Sequence, residues 1–337
     1  MIRLSFILPC YNVGRYVGDC LDSIYAQGVA ENEFEVIAVN DCSTDGTRAV
    51  IESYAERHGN LTILDHKQNL TSGGARNTGI QEAKGDFIWF VDPDDAIRDH
   101  CLGEVMGRAA EKDADILYFN YFDCDENLES RRADHTFSDT GVLPGQQYVQ
   151  EYFPGRFPTF GIVWRAIFKT RFLQENGPRF PIMRKAQDVV FLWRAMLSAG
   201  RVCSVDAIYY LYRNNPYSVM KHQLEARVAF SDRILRGYEI ASMLSGTGTD
   251  ILPSIREDML RAVKWCSDSN LEPLALMSGK ERANYYSEIK AHKEAVACLK
   301  PQMNRKSRLL FDTSLGKGYW LCKCNLLCRR EMKRKGR

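Results

Sequence analysis

A ten-residue stretch, Asp86–Asp95 (DFIWFVDPDD), constrains the fold of this chain more than any other. A mostly apolar run from Phe87 to Val91 leads directly into three carboxylates. An apolar run of this length, bounded by charge, is typical of a strand that is buried on both faces and therefore central in an α/β sheet. Open α/β sheets bind their ligands at the carboxyl ends of such strands. The stretch therefore predicts a ligand site at one edge of a buried sheet.

The three carboxylates of this stretch, Asp92, Asp94 and Asp95, have two interpretations. They repel one another unless a cation joins them, and a hard divalent metal ion that carries a phosphate fits that role. An Asp-rich turn that contains proline and leads into a helix cap has the same composition. The residues of this stretch alone leave both interpretations open.

Strand and helix patterns alternate over about the first 120 residues, as they do in doubly wound sheets. The apolar spacing predicts a further strand at Ala114–Tyr121, an amphipathic helix at Gln187–Ala199, and two closing strands at Arg201–Val205 and Ile208–Tyr212. The predicted early strands are Arg3–Leu8, Phe34–Val39, Leu61–Leu64 and Phe87–Val91, and the predicted helices between them are Tyr16–Gln27, Asp45–His58 and Ala75–Ala83. We expect an α/β domain with a mostly parallel sheet flanked by helices.

The character of the chain changes near residue 222, where helix-favouring segments replace the alternation. We therefore expect an α/β domain at residues 1–222 and a helical C-terminal region at residues 223–337. The predicted helices of that region are Gln223–Leu244, Ile251–Cys266, Lys280–Leu299 and Arg308–Lys333.

Composition limits the class of protein. Charged residues make up 26% of the 337 residues and the net charge is +2, so no overall field favours nucleic acid. No apolar run approaches the roughly 20 residues that span a bilayer, and the eleven cysteines show no CxxC pair. These features predict a cytoplasmic protein with free thiols. The tail at 329–337 (RREMKRKGR) is a candidate for contact with anionic lipid at the inner face of the membrane, although a solvated end explains it as well.

Four motifs together resemble the nucleotide-sugar domain of family-two glycosyltransferases. They are ILPCYN (7–12), VNDCSTDGT (39–47), GGARNTGI (73–80) and FVDPDD (90–95), and they follow the family's order and spacing. The common phosphate-binding loops GxGxxG after a strand and GxxxxGK[ST] are absent. The resemblance implies a GT-A fold, which is Rossmann-like, with a helical C-terminal extension here. It also implies a nucleoside-diphosphate sugar donor, a Mn²⁺ or Mg²⁺ cofactor and inversion at the anomeric carbon.

The resemblance assigns donor-binding roles to five positions. Pro9 and Tyr11 match the loop that packs around uracil and ribose, and Asp41 matches the carboxylate that hydrogen-bonds the base. An ionised aspartate accepts well from an imide N–H, so uracil suits this position. Arg76 matches an arginine near the donor, and Asp94 lies nearer the ribose.

The resemblance also assigns the metal and the catalytic base. Asp95 matches the direct metal ligand together with Asp94, while Asp92 supports the loop. The family's base belongs to a Glu-Asp pair that opens a helix, and this chain has Gln187-Asp188 there. We assign Asp188 as the base; an acid that favours the helix dipole is the alternative.

Four further residues are weaker candidates. Arg213 could approach the diphosphate, and His222 could contact phosphate or metal. Trp164 and Trp193 could stack on an acceptor sugar, although core packing is their commoner role. The QxxRW motif of processive members is absent, which favours transfer of a single sugar.

The sequence therefore predicts a metal-dependent inverting hexosyl- or N-acetylhexosaminyltransferase. Its donor is a UDP-sugar, and its acceptor is a hydroxyl of a glycan or a lipid-linked sugar in cell-surface polysaccharide synthesis. Two alternatives stay open: sugar transfer to a polyprenyl phosphate, and a catalytically silent protein that binds nucleotide sugars.

Overall fold

Strands and helices alternate along the chain, and a computed structural model gives their bounds. It describes residues 2–129, 131–154, 162–175, 177–216, 226–245 and 250–268. The strands of these ranges are β1 (Leu4–Cys10), β2 (Phe34–Asn40), β3 (Leu61–Asp65), β4 (Phe87–Phe90), β5 (Ala96–Ile97), β6 (Ile116–Cys124), β7 (Arg131–Asp134), β8 (Ala166–Lys169) and β9 (Val202–Arg213). The helices are α1 (Val17–Tyr25), α2 (Thr47–Ala55), α3 (Thr71–Glu82), α4 (Leu102–Lys112), α5 (Gly145–Tyr152), α6 (Thr170–Gln174), α7 (Gln187–Ser198), α8 (Ala226–Ser245) and α9 (Pro253–Asp268).

The strands form one sheet in the order β3-β2-β1-β4-β8-β6-β9-β5, with β7 paired to β6. Strands β3, β2, β1 and β4 run parallel to one another. Strand β8 is antiparallel to both β4 and β6, and β9 runs parallel to β6. The carboxyl ends of β1, β2 and β4 therefore meet at one edge of the sheet.

Strands β1 and β4 are at the centre of the sheet, and every residue of both is buried. The ring of Trp89 stacks on Phe6 with 5.6 Å between centroids, and its Nε1–H donates to the carbonyl of Trp164 at 2.9 Å. Burial on both faces removes much apolar surface from water, which stabilises the sheet. The prediction that the apolar run of Asp86–Asp95 forms a central strand is confirmed.

Helix α3 begins four residues earlier than the sequence predicts. The predicted helix begins at Ala75, yet the observed helix begins at Thr71. A Cβ atom on Gly73 would come within 2.8 Å of the Pro181 carbonyl, and one on Gly79 would collide with the side chain of Ile7. Glycine here permits close packing of the helix, and does not break it.

The two predicted closing strands are one strand, β9. Its pairing with β6 shifts register on both sides of Asn120, and the strand continues through this irregularity. The Asn120 side chain donates to Asp206 at 3.0 Å, which stabilises the irregular segment. Such a bulge interrupts the alternation of apolar residues without ending the strand.

The chain divides into two compact units, Met1–Lys221 and His222–Arg337. Helices α8 and α9 occupy the predicted helical segments 223–244 and 251–266 with small shifts of their ends. The other two predicted C-terminal helices and the basic tail lie outside the described residues, so the assignment of residues 223–337 as a helical region stays a prediction. No helix in the described part of the chain is both long and apolar enough to cross a bilayer.

Candidate active site

Three predicted donor-binding residues and the supporting Asp92 lie at or just beyond the ends of neighbouring parallel strands. Pro9 lies in β1, Tyr11 follows that strand, Asp41 follows β2, and Asp92 comes soon after β4. The register pairs Cys10 with Asn40, so the ends of β1 and β2 are side by side. The Tyr11 side chain is 46% exposed, which leaves its ring free to pack against a flat base. The strands therefore bring these residues to one edge of the sheet.

The Asp41 carboxylate is held from one side. Its Oδ1 accepts from the backbone N–H of Leu70 at 2.8 Å and from Nδ1 of His66 at 2.7 Å. The Asp41 backbone carbonyl accepts from the Asn69 side chain at 3.2 Å. Its other oxygen, Oδ2, is buried without a hydrogen-bond partner within the described ranges. A buried acceptor of this kind is costly unless a ligand donates to it, as the imide of uracil would.

The turn Asp92–Asp95 is closed by a hydrogen bond from the Asp95 N–H to the Asp92 carbonyl at 2.9 Å. Asp92 Oδ1 accepts from Arg76 at 2.5 Å, and Asp94 Oδ2 accepts from the Asn215 side chain at 2.9 Å. In each of these two carboxylates, the second oxygen has no hydrogen bond from another described residue. Burial and then the charge of Asp92 raise the pKa of Asp94, so a cation would relieve the crowding.

Asp95 makes contacts that differ from those of a predicted metal ligand. Its side chain is 1% exposed, and burial followed by the charges of Asp94 and Asp92 raises its pKa well above the ordinary value. Its Oδ2 accepts from the Tyr210 hydroxyl at 2.7 Å, and Oδ1 accepts from the Arg213 N–H at 2.7 Å. Both oxygens are therefore already used inside the protein, and direct metal binding by Asp95 stays an untested prediction.

The residues fit a divalent cation that is bound partly by protein carboxylates and partly by a diphosphate. Among the described residues, no group of three or more His, Cys, Asp or Glu side chains is arranged to hold a metal ion by itself. Mg²⁺ and similar hard cations bind through one or two carboxylates plus substrate phosphates and water. The oxygens of Asp94 and Asp92 match that donor set.

Arg213 contacts the carboxylate turn, and each nitrogen of its guanidinium donates to a protein oxygen. It donates to the carbonyls of Asp94 at 2.7 Å and Glu126 at 2.5 Å, and to the carboxylate of Asp19 at 2.8 Å. A buried guanidinium with these partners fixes the turn against β9. The structure thus gives Arg213 a positioning role, and its approach to a diphosphate stays a prediction.

The Tyr210 hydroxyl joins the turn to β9 through two hydrogen bonds. It donates to Asp95 Oδ2 at 2.7 Å and accepts from the Asp92 N–H at 3.1 Å.

We expect Tyr210→Phe to lower the free energy of unfolding by about 1–3 kcal/mol, because it leaves a buried carboxylate oxygen unpaired. Urea titration measures this change. Tyr212→Phe is the matched control, since Tyr212 stacks on Trp164 and its hydroxyl bonds no described residue. Equal unfolding free energies for the two variants would contradict the role given to Tyr210.

Asp188 lies in the first turn of α7, and its Oδ1 accepts from the Val189 N–H at 2.9 Å. Burial raises its pKa; the charge of Arg76 opposes this, and that of Asp92 adds to it. The carboxylate is therefore near enough to Arg76 and Asp92 for their charges to act on it. The predicted base thus lies near Arg76, one of the predicted donor residues.

Gln187, which replaces the family's glutamate, connects α7 to α3. Its side-chain amide donates to the Ser72 hydroxyl, and its Cγ would be 3.2 Å from a Cβ on Gly73. Its Oε1 is buried with no partner in the described ranges. This packing places the start of α7 beside the start of α3, which carries Arg76.

Both candidate tryptophans are core residues. Trp164 is 2% exposed and stacks on Tyr210, with 4.4 Å between ring centroids. Trp193 is 1% exposed. Neither offers a ring face to an acceptor sugar, and His222 lies outside the described residues.

Sequence reasoning missed His66, Tyr210 and Asn215. His66 directly follows β3, and a polar residue after a predicted strand was the available signal. The partners of Tyr210 and Asn215 could not be predicted from local pattern, because each acts on a residue more than a hundred positions away.

Comparisons with known proteins show which family and which fold this chain resembles. The model of the family described as glycosyl transferase family 2 matches residues 5–172. EpsH of Bacillus subtilis is 30% identical over 226 residues, which cover 65% of this chain and 62% of EpsH. The poly(ribitol-phosphate) beta-N-acetylglucosaminyltransferase TarS of Staphylococcus aureus is 30% identical over 219 residues, 62% of this chain and 35% of TarS. The chain thus spans less than two thirds of EpsH and about a third of TarS.

Two solved structures share the fold. The crystal structure of TarS residues 1–349 in complex with UDP-GlcNAc superposes with a TM-score of 0.65 at 21% identity, covering 100% of this chain and 93% of that one. The mannosyltransferase PcManGT from Pyrobaculum calidifontis, in complex with GDP-Man and Mn²⁺, gives 0.51 at 18% identity, covering 96% and 87%. The predicted GT-A class, an α/β sheet flanked by helices, is confirmed.

Proposed function

The chain belongs to glycosyltransferase family 2 through residues 5–172, and we propose that it transfers one sugar from a UDP-sugar to an acceptor hydroxyl. One observation carries the proposal: Asp41, with an unpartnered buried oxygen, and the arginine-paired carboxylate turn lie at the carboxyl ends of β2 and β4, and Asp188 is near enough to feel the charges of that arginine and turn. Ligands of α/β sheets bind at this edge.

Asp41 supports the choice of a uridine donor. Its unpartnered buried Oδ2 would accept from the N3–H of uracil, and the exposed ring of Tyr11 would pack on the base. The TarS fragment binds UDP-GlcNAc, which supports a UDP-sugar of the hexose or N-acetylhexosamine type. The GDP-Man complex of PcManGT makes GDP-sugars the comparison to test.

Mn²⁺ or Mg²⁺ would be held by Asp94, with Asp92 beside it, and would stabilise the negative charge of the departing diphosphate. Arg76 would contribute positive charge near the same group while it orients Asp92. Asp95 would hold the turn in place through Tyr210 and Arg213. This division exchanges the predicted roles of Asp92 and Asp95.

Asp188 would act as the base. The acceptor oxygen would attack the anomeric carbon from the face opposite the diphosphate, the bond from carbon to the phosphate oxygen would break, and the hydroxyl proton would pass to Asp188. Burial raises the pKa of Asp188, which strengthens it as a proton acceptor. The product would have inverted configuration.

The acceptor we propose is a glycan or a lipid-linked sugar of a cell-surface polysaccharide. TarS, which is named for transfer to poly(ribitol-phosphate), supports this class. We propose that the protein works in the cytoplasm, with its basic tail against anionic lipid at the inner face of the membrane.

Release of UDP from a panel of UDP-glucose, UDP-galactose and UDP-GlcNAc, with Mn²⁺ and a range of glycan acceptors, tests the proposed function. We expect at least one donor to release UDP about tenfold faster than background, GDP-mannose to be inert, and EDTA to abolish release. Release of UDP with polyprenyl phosphate as the only effective acceptor would favour a polyprenyl-phosphate sugar transferase. Tight UDP binding without release would favour the silent binding protein.

A further inference from the structure

His66 has a set of contacts that the proposed mechanism does not use. Its backbone N–H donates to the Asn40 carbonyl at 3.0 Å, which continues the pairing of β2 and β3 by one residue. Its ring Nδ1 lies 2.7 Å from Asp41 Oδ1, and its Nε2 lies 2.9 Å from the Thr78 hydroxyl of α3. The imidazole therefore bridges the strand end that carries Asp41 and the helix that carries Arg76.

These contacts leave Asp41 with one available acceptor. Oδ1 of Asp41 accepts hydrogen bonds from the Nδ1–H of His66 and from the backbone N–H of Leu70. Both of its partners are therefore protein groups. Oδ2 is buried and unpartnered among the described residues. The His66 ring thus fixes the carboxylate so that the same oxygen always faces an incoming ligand.

A carboxylate oxygen fixed in this way discriminates between pyrimidines. Uracil carries a hydrogen on N3 and donates it, whereas N3 of cytosine is an acceptor that a carboxylate repels. A site built to bond a donor rejects an analogue that lacks it, because the buried acceptor stays unpaired.

We propose that His66 is a positioning residue for Asp41 and thereby sets the preference of the cleft for a nucleotide base with an imide N–H. The inference rests on the proposed function, because it takes the donor to be a uridine nucleotide. Its effect is on nucleotide selectivity, and not on the rate of the chemical step.

Calorimetric titration of the full chain with UDP and with CDP, each with Mn²⁺, tests the proposal. We expect His66→Ala to weaken UDP binding by about tenfold, as the loss of one charge-assisted hydrogen bond does, while CDP binding changes by less than about twofold. The UDP-to-CDP preference therefore falls. A residue with only a structural role would weaken both nucleotides alike.

Two further variants test the two ring nitrogens of His66 separately. His66→Asn keeps a donor near the position of Nδ1 and should restore UDP selectivity. His66→Gln keeps a polar group near Nε2 and the Thr78 hydroxyl, and should not restore it. This comparison stays decisive if His66→Ala fails to fold.

His58→Ala is the matched control, because His58 Nδ1 also bonds a carboxylate, that of Glu31 at 2.8 Å, at an exposed site. We expect its UDP-to-CDP preference to equal that of the wild type. An unchanged preference in His66→Ala, or equal preference in the Asn and Gln variants, would overturn the role of His66 and leave the proposed function standing. A wild type that binds no UDP would instead overturn the proposed function.

Discussion

Asp188→Asn is expected to slow sugar transfer by about a thousandfold while UDP binding stays within about twofold of the wild type, because a general base acts only in the chemical step. Asparagine keeps the shape of the side chain and cannot take the acceptor proton. Because burial raises the pKa of Asp188, its ionised form is disfavoured in the folded protein, so removing the charge should not lower stability. UDP release, calorimetric UDP binding and thermal unfolding, measured on one preparation, check the three parts.

The pH profile of the wild type separates a base from an acid that only favours the helix dipole. A raised pKa means that Asp188 is protonated and inactive below a pH higher than that of an ordinary aspartate, so kcat/KM should fall in that range as pH decreases. Glu104→Gln is the control, because it removes an acid from the first turn of α4 whose partners are Arg98 and Tyr209. Wild-type rates in Asp188→Asn, or a similar loss in Glu104→Gln, would contradict the assignment.

Asp94→Asn is expected to abolish the dependence of UDP binding on Mn²⁺ and to slow UDP release by about a hundredfold or more, because the diphosphate and its cation lose a negatively charged oxygen ligand. Electron paramagnetic resonance of free Mn²⁺, with UDP present, measures the binding without any turnover. The Asp94 side chain bonds only Asn215 among other described residues, so its loss should change the unfolding free energy little.

Tyr210→Phe provides the contrast for this prediction. It should destabilise the fold through Asp95 while a direct ligand to Mn²⁺ remains in place. Asp94→Asn with wild-type Mn²⁺ binding in the presence of UDP would contradict the metal role of Asp94 and return attention to Asp95.

The edge of the sheet was predictable from the sequence because each key acid follows a local pattern. Asp41 and Asp92 come at the ends of apolar runs, and Asp188 opens an amphipathic helix. Parallel strands with buried faces must carry their loops to one edge, so short-range patterns were enough to predict where these residues gather.

The supporting contacts were not predictable, because they join distant positions. Arg213 bonds Asp19 across 194 residues, and Tyr210 bonds Asp95 across 115. No local pattern tells whether a carboxylate faces a ligand or a buried tyrosine, and the metal role that the resemblance implies for Asp95 stays a prediction. The start of α3 was predicted wrongly for a related reason. Gly73 and Gly79 allow close contact with Pro181 and Ile7, which lie far from them in the sequence.

Release of UDP from a UDP-sugar, with the wild type and Asp188→Asn compared at equal UDP occupancy, measures the proposed chemistry most directly. A glycosyltransferase with this cleft releases many UDP molecules per wild-type chain in the presence of Mn²⁺ and an acceptor, and close to none from Asp188→Asn. Equal release of UDP from both proteins would contradict the role of Asp188 as the base. No release from a wild type that binds UDP would contradict sugar transfer at this edge of the sheet.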